Sequence, residues 1–299
     1  MTEQKQTVYD RLSERICAEL AAGTVPWQQP WRTEGRPYNR VSGRAYGGIN
    51  LILLGLLGGT REGCSNAWLT YKQAETLGGH VRRGEKGTGI VFFKPILRPM
   101  GTDAVTGDEI LTRGGVWREY TVFHVSQCED LPSVDPQPVP QPFAPIARAE
   151  QIATKYLATG PTLARGGDRA CYSPAIDHVQ MPRPESFTVP TAYYSTLYHE
   201  LAHSTGHVSR LNRPGIGHDL QRFGTETYSR EELVAEIASA FLAADAGIDH
   251  DIPQVAAYCR SWLTVLRDDR RLILTAAAQA SKAADYVMNG VPVPPTNEE

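Results

Sequence analysis

The run His199-Glu200-Leu201-Ala202-His203 holds the residues of this chain best suited to chemistry. Four residues carry an α-helix about 400° around its axis, so His199 and His203 stand one above the other on one face and can grip one metal ion. Glu200 stands beside them, where its carboxylate can serve as general base toward water. A catalytic metal site takes three protein ligands and keeps one position open, so a third ligand must come from elsewhere. Gly206 fits the longer pattern HExxHxxGxxH, but Ser209 occupies the last ligand position of that pattern and removes it. His207 would lie about 12 Å along an unbroken helix from His199, too far to share one tetrahedral ion.

The remaining source is an acid on a later helix. Residues 231–236 read Glu-Glu-Leu-Val-Ala-Glu, which puts Glu232 and Glu236 on one helical face and points Glu231 away. The expected division is Glu232 as third ligand and Glu236 as the acceptor that orients a histidine ring, with the reverse assignment open. Ala235 and Ala238 let that helix come close to the motif helix. Two histidines and a carboxylate suit Zn2+ and admit Mn2+ and other divalent metals. A developing oxyanion needs a further donor, and Tyr193, Tyr194, Tyr198 and Tyr228 are all near in sequence, with Tyr228 placed slightly ahead. Asp177 and His178, on a strand before the motif, are candidates to line the cleft.

The elements that must position these residues follow from periodicity. Residues 146–158, 190–207 and 229–246 read as helices, with a short strand pair over 171–181 and two more helices in the C-terminal part. Ser229 followed by Glu232 is a capping-box pattern, so the helix carrying the acids is expected to start there. Upstream, Val8, Leu12, Ile16 and Leu20 predict an amphipathic helix over 7–22, and 49–57 a short apolar one. Thr70 can cap a helix over 71–77. Residues 87–97 and 117–125 read as strands joined by a long turn around 101–107. Six prolines fall within residues 131–145, an extended spacer. The expectation is an α+β chain of two domains: an α+β domain at 1–130, the linker at 131–145, and a mainly helical domain with a small sheet at 146–299.

Composition sets limits on this reading. A chain that is 41% hydrophobic and 21% charged is globular, and its longest apolar run, 49–57, is far too short to span a bilayer. Five cysteines without a CxxC pair, and an N-terminus lacking an apolar signal region, favour reduced thiols in the cytoplasm and no membrane. The net charge of -3 hides an asymmetry: residues 27–98 hold eleven Lys/Arg against four Asp/Glu, and residues 131–299 hold fourteen against nineteen. The basic stretch interleaves cations with rings: Trp27, Trp31, Arg36, Arg40, Arg44, Tyr46, Trp68, Tyr71, Lys72, Arg82, Arg83 and Lys86. Positive charge along a backbone with flat rings beneath the bases is how single-stranded DNA is held, and these residues are the candidates for it.

Taken in order, these segments resemble the ArdC family of plasmid antirestriction proteins, also found as the N-terminal part of TraC-type conjugative primases. The likeness rests on Pro-Trp at 26–27, Ser-Gly-Arg-Ala-Tyr-Gly-Gly-Ile-Asn at 42–50, Trp-Leu-Thr-Tyr-Lys-Gln-Ala at 68–74 and Gly-Gly-His-Val-Arg-Arg-Gly-Glu-Lys-Gly at 78–87. It continues through His-Glu-Leu-Ala-His-Ser-Thr-Gly-His at 199–207, Arg210-Leu211, and Glu-Glu-Leu-Val-Ala-Glu-Ile at 231–237. The resemblance implies a first domain that binds single-stranded DNA and a second of zincin-like metallopeptidase fold. It also implies a role in shielding incoming plasmid DNA from host restriction during conjugation. Two readings stay open: a zinc peptidase acting on a protein substrate near the DNA, or a non-enzymatic coat whose metal domain is a scaffold or partner-binding module. A structural zinc module is a third. The oligomeric state is not legible.

Overall fold

The computed structural model of the protein describes residues 8–22, 36–58, 66–102, 109–132, 145–187, 189–216, 225–248, 255–269 and 271–290. The first part of the chain runs α1 (Val8–Ala21), β1 (Tyr38–Asn39), α2 (Ile49–Gly58), β2 (Ala67–Thr70), α3 (Tyr71–Thr76), β3 (His80–Val81), β4 (Thr88–Thr102), β5 (Glu109–His124) and β6 (Cys128–Glu129). Strands β1, β2, β5 and β4 form one sheet in that order, and β3 pairs with β6 in a second. The expected strands over 87–97 and 117–125 are the inner halves of the β4–β5 hairpin; the tip of the turn lies outside the described residues.

Local chemistry sets these elements. The Thr70 hydroxyl accepts from the Gln73 amide and the Gln73 side chain accepts from the Thr70 amide, so α3 starts on a complete capping box. Strand β4 is an edge, and the buried Asn50 of α2 closes it: its side chain donates to the Val91 carbonyl and accepts from the Val91 amide, both at 2.8 Å. Without that side chain two buried backbone groups would lack partners.

The second part runs α4 (Pro145–Leu157), β7 (Thr162–Arg165), β8 (Cys171–Ser173), β9 (His178–Met181), α5 (Pro190–Thr205), α6 (Glu226–Ala246), α7 (Val255–Asp268) and α8 (Leu272–Asn289). The strand pair expected over 171–181 is β8 and β9, and β7 adds a third strand parallel to β9, giving the order β7-β9-β8. Nothing in Thr-Leu-Ala-Arg alternates strongly enough to announce β7.

Helix α6 begins one turn before its expected start. Thr225, not Ser229, is the cap: its side chain accepts from the Tyr228 amide, and Ser229 is buried inside the helix. Both residues are of capping type. From Glu231 to Ala244 every residue of α6 is buried, so this is the central helix of the fold rather than an amphipathic one. Its alanines let α5 and α8 pack against it at short range.

The chain's sequence divides near 131–145, yet its core does not. Ile16 and Leu20 of α1, Ile49, Leu51, Ile52 and Leu53 of α2, and Val91 of β4 belong to the same apolar cluster as α4, α5, α6 and α8. A smaller cluster of Tyr46, Leu54, Trp68, Ile90 and Val122 fills the sheet of the first part. Most of the proline-rich segment lies outside the described residues.

A polar contact reinforces the shared core. Arg36, expected among the DNA contacts, reaches back to Asp245 at the end of α6 (2.6 Å) and to Asp285 on α8 (3.1 Å). Burial pushes the Asp245 carboxyl up, and Arg36 opposes that shift. Arg36→Ala leaves two carboxylates largely out of water with no cation between them, so unfolding in urea is expected to show a loss of about 3 kcal/mol.

Candidate metal centre

Helix α5 enters on Pro190, whose ring suits a first helical position, and carries the motif on its inner face. His199 and His203 meet edge to face with ring centroids 4.7 Å apart, and their Nε2 atoms are 3.1 Å apart. Glu232 of α6 closes a triangle, with Oε2 at 3.3 Å from Nε2 of His199 and Oε1 at 3.5 Å from Nε2 of His203.

This triangle fits a bound cation. Two imidazole nitrogens aimed at each other repel through their lone pairs unless something positive lies between them. Bonds of about 2.0–2.1 Å in a tetrahedron give donor–donor edges of about 3.3 Å. An octahedron with bonds near 2.1–2.3 Å gives edges of about 3.0–3.3 Å. These edge lengths suit a divalent cation without selecting which.

The far nitrogens are held as well. Nδ1 of His199 lies 3.4 Å from Glu236, and Nδ1 of His203 lies 3.2 Å from Glu231. Each carboxylate favours the tautomer that keeps the proton on Nδ1 and turns the Nε2 lone pair inward. Glu236 thus lies on the Nδ1 side of His199, away from the triangle. Glu231, expected to point away, does not: residues 231, 232 and 236 span about 140° of helix surface, and α5 packs closely enough for both edges of that arc to reach a histidine.

Arg213 completes the arrangement and was not anticipated. Its guanidinium binds both oxygens of Glu231 (2.6 and 3.1 Å), and donates to the Thr205 hydroxyl (2.6 Å) and the Ala202 carbonyl (2.8 Å). It thereby staples the loop after α5 to the end of the motif helix. A Cβ at Gly206 would fall 2.4 Å from Ile216 and 3.0 Å from Arg213, which accounts for the glycine after His203-Ser-Thr. No spacing rule points from Arg213 to Glu231; the signal was only a lone arginine before Pro214.

The electrostatics follow from this crowding. Glu200, Glu231, Glu232 and Glu236 are all buried here, against the single buried guanidinium of Arg213. Burial raises the Glu200 carboxyl, opposed by the two histidines and by the Tyr172 amide that donates to it. Burial also works against a charged His203, but the bonds to Glu231 and Glu232 prevail and push it up to about 9. His199 is raised well above its ordinary value in the same way, by Glu232 and Glu236. Glu231 is held low despite burial, chiefly by Arg213.

Strand β8 borders this site at the edge of its sheet, and Tyr172 links it to the motif helix twice. Its amide donates to Glu200, and its hydroxyl donates to Asp177 at 2.9 Å. Asp177 is further bound by Arg210, which also donates to the Ser204 carbonyl (2.8 Å). Asp177 thus braces the strand against α5. His178 bonds Thr162, and His207 bonds Ser209; neither joins the triangle. The hydroxyls of Tyr193, Tyr194 and Tyr198 are engaged by Arg165, Glu150 and the Ala149 carbonyl. Tyr228 stands half-buried in the first turn of α6, one turn before Glu232.

Among the candidates for DNA contact, Trp27 and Trp31 lie outside the described residues. Tyr46 and Trp68 are buried, at 5% and 2% exposure, and serve the core rather than a stacking surface. Arg36 is held by Asp245 and Asp285, and the half-buried Arg40 donates to the Pro132 carbonyl. Arg44, Tyr71, Lys72, Arg82, Arg83 and Lys86 are exposed.

Residues 6–123 match the model of the N-terminal domain of anti-restriction factor ArdC, and residues 147–279 match that of a zincin-like metallopeptidase. A DNA primase TraC of Escherichia coli is 39% identical over 96% of this chain, which spans only 28% of that primase's length. The uncharacterized protein y4eC of Sinorhizobium fredii (strain NBRC 101917 / NGR234) is 35% identical, with 94% of this chain and 91% of that one covered. The metal-free crystal structure of the antirestriction ArdC protein from the R388 plasmid superposes with a TM-score of 0.72 at 35% identity, covering 96% of this chain and 100% of that one. Its Mn(II)-bound structure gives 0.70 at 34% identity, covering 94% and 97%.

Protein purified without chelator is expected to hold about one divalent metal per chain by elemental analysis, and His199→Ala little. Glu231→Gln and Glu236→Gln keep all three ligands and should weaken metal binding roughly 10–100-fold in a chelator competition. Since the bonds to Glu231 and Glu232 push His203 up to about 9, protons compete with the metal below that pH. With His199 raised as well, affinity should fall from pH 8.5 to pH 6.5, by about tenfold per unit for each ligand histidine that must lose a proton.

Proposed function

The chain belongs to the ArdC family of antirestriction factors, and on that premise we propose that it binds single-stranded DNA with its first domain and hydrolyses a protein near that DNA with its second. The outcome is protection of incoming plasmid DNA from restriction during conjugation, in the cytoplasm. The described cysteines are free thiols, and no helix among the described residues is long and apolar enough to cross a membrane. The observation that carries the enzymatic reading is Glu200: a buried carboxylate with a raised pKa beside a triangle of three metal donors. A purely structural metal site has no use for a base in that position.

His199, His203 and Glu232 would hold the cation, Zn2+ by preference of the donor set, with Mn2+ supported as the alternative by the Mn(II)-bound relative. A divalent cation there supplies Lewis acidity, acidifying water and polarising a carbonyl. Glu200 takes the proton of the attacking water and passes it to the leaving amine. Its raised pKa suits both halves of that transfer, because a stronger carboxylate base is also an acid at neutral pH. The Tyr172 amide fixes the carboxylate in place, and Tyr228 is the candidate donor to the oxyanion.

The coating reading is favoured by one observation, the exposed cations of the first domain, and it predicts protection without chemistry. Glu200→Ala is expected to keep its metal and its DNA affinity, lose roughly 10²–10⁴ in peptide hydrolysis, and fail to protect DNA in a restriction assay. Protection by Glu200→Ala equal to wild type, abolished instead in Trp27→Ala/Arg44→Ala, would replace the enzymatic reading with the coat.

A further inference from the structure

The first domain carries a groove of about 710 Å³, bounded by the start of α3, the β3–β6 pair and the turn Arg82–Glu85. That size lies within the range of roughly 300–1,000 Å³ typical of small-ligand sites. One wall is aromatic: Tyr71, 52% exposed, meets Phe123 edge to face with centroids 6.4 Å apart. A large ring at the first position of a helix, half in water, gains little for the fold. The backbone that carries it is anchored, because the capping box that starts α3 at Thr70 is tied to Asn39, whose amide donates to Gln73 at 3.1 Å.

The rim is cationic, but its two arginines differ. Arg82 is bound to Glu85 at 2.6 Å, and Glu85 also accepts from Gln127 at 2.9 Å. Arg83 has no hydrogen bond or ion pair among the described residues and is exposed. His80 lies 3.5 Å from Glu129, and Glu129 and Glu85 are the acids of the same lining. The turn can lie against Phe123 because residue 87 has no side chain: a Cβ there would fall 2.3 Å from Thr121 and 2.9 Å from Phe123.

An exposed ring on an anchored helix start, with a guanidinium that has no ion pair among the described residues on the same groove, matches a base joined to its phosphate. We propose that this groove seats one unpaired nucleotide, its base on Tyr71 and Phe123 and its phosphate on Arg83, and so gives the protein a preference for single strands. In a duplex both faces of a base are covered by its neighbours, so only an unpaired base can lie on Tyr71. The inference rests on the DNA-binding reading above and adds to it a place and a mode of selection.

The test is fluorescence anisotropy of the full chain with a labelled oligothymidylate and, separately, a duplex of similar length. Tyr71→Ala is expected to lose roughly tenfold or more in affinity for the single strand, while Tyr71→Phe, which keeps the ring, binds as wild type. Arg83→Ala should weaken single-strand binding and flatten its log–log salt slope by about 0.7–1. Duplex affinity should be unchanged in all three. If wild type binds the single strand and both alanine variants bind it equally well, the groove is not the seat and the DNA-binding reading survives. If wild type does not bind the single strand, both fall. Melting curves matching wild type exclude a folding defect at these exposed positions.

Discussion

Among the described residues, four carboxylates and two imidazoles are packed into one helix–helix contact with one buried guanidinium, that of Arg213, and the demand of this crowding constrains the rest of the structure. Buried charge of one sign is tolerated only where it is compensated. Glu231 is compensated by Arg213, which fixes the loop after α5; the others converge on the histidines. The demand explains why α6 is buried along nearly its whole length and why its contact positions are alanine. Only small residues let two backbones approach until carboxylates on one helix reach both nitrogens of imidazoles on the other.

The same helix ties the centre to the rest of the chain. Its first turns carry Glu231, Glu232 and Glu236, and its last turn carries Asp245, which Arg36 binds from the first part. The basic part of the molecule is therefore seated on the helix that builds the metal site. Tyr172 plays a similar connecting role on the opposite flank, holding the edge strand to Glu200 by its amide and to the Asp177–Arg210 pair by its hydroxyl. One of these contacts, the Tyr172 amide, bears directly on the carboxylate proposed to move protons.

What could be read from the sequence was whatever local periodicity encodes. The four-residue spacing of the histidines, the shared face of Glu232 and Glu236, and the cap at Thr70 each depend on geometry within a few residues. The participation of Glu231 depends on how closely another helix packs, and a helical wheel carries no such distance. Arg213 and Arg36 find their partners 18 and 209 residues away, and nothing in composition distinguishes them from solvated arginines. The burial of Tyr46 and Trp68 has the same origin: rings and cations interleaved in sequence were sorted by the fold into a core and a surface. Thr225 and Ser229 are both of capping type, and sequence alone does not say that the helix runs through Ser229 to start at Thr225.

The proline-rich stretch between the two parts looks like a place where the chain could be cut and each part carried elsewhere. The apolar cluster that runs from Ile16 to Val287 makes that a poor site for recombination. A crossover there would join helices to partners whose surfaces were never fitted to them, and would strand Asp245 and Asp285 without Arg36. A gene rearrangement that succeeds has to move both parts together. The Escherichia coli primase, in which 96% of this chain aligns within 28% of a longer protein, has the form that such a block transfer would leave.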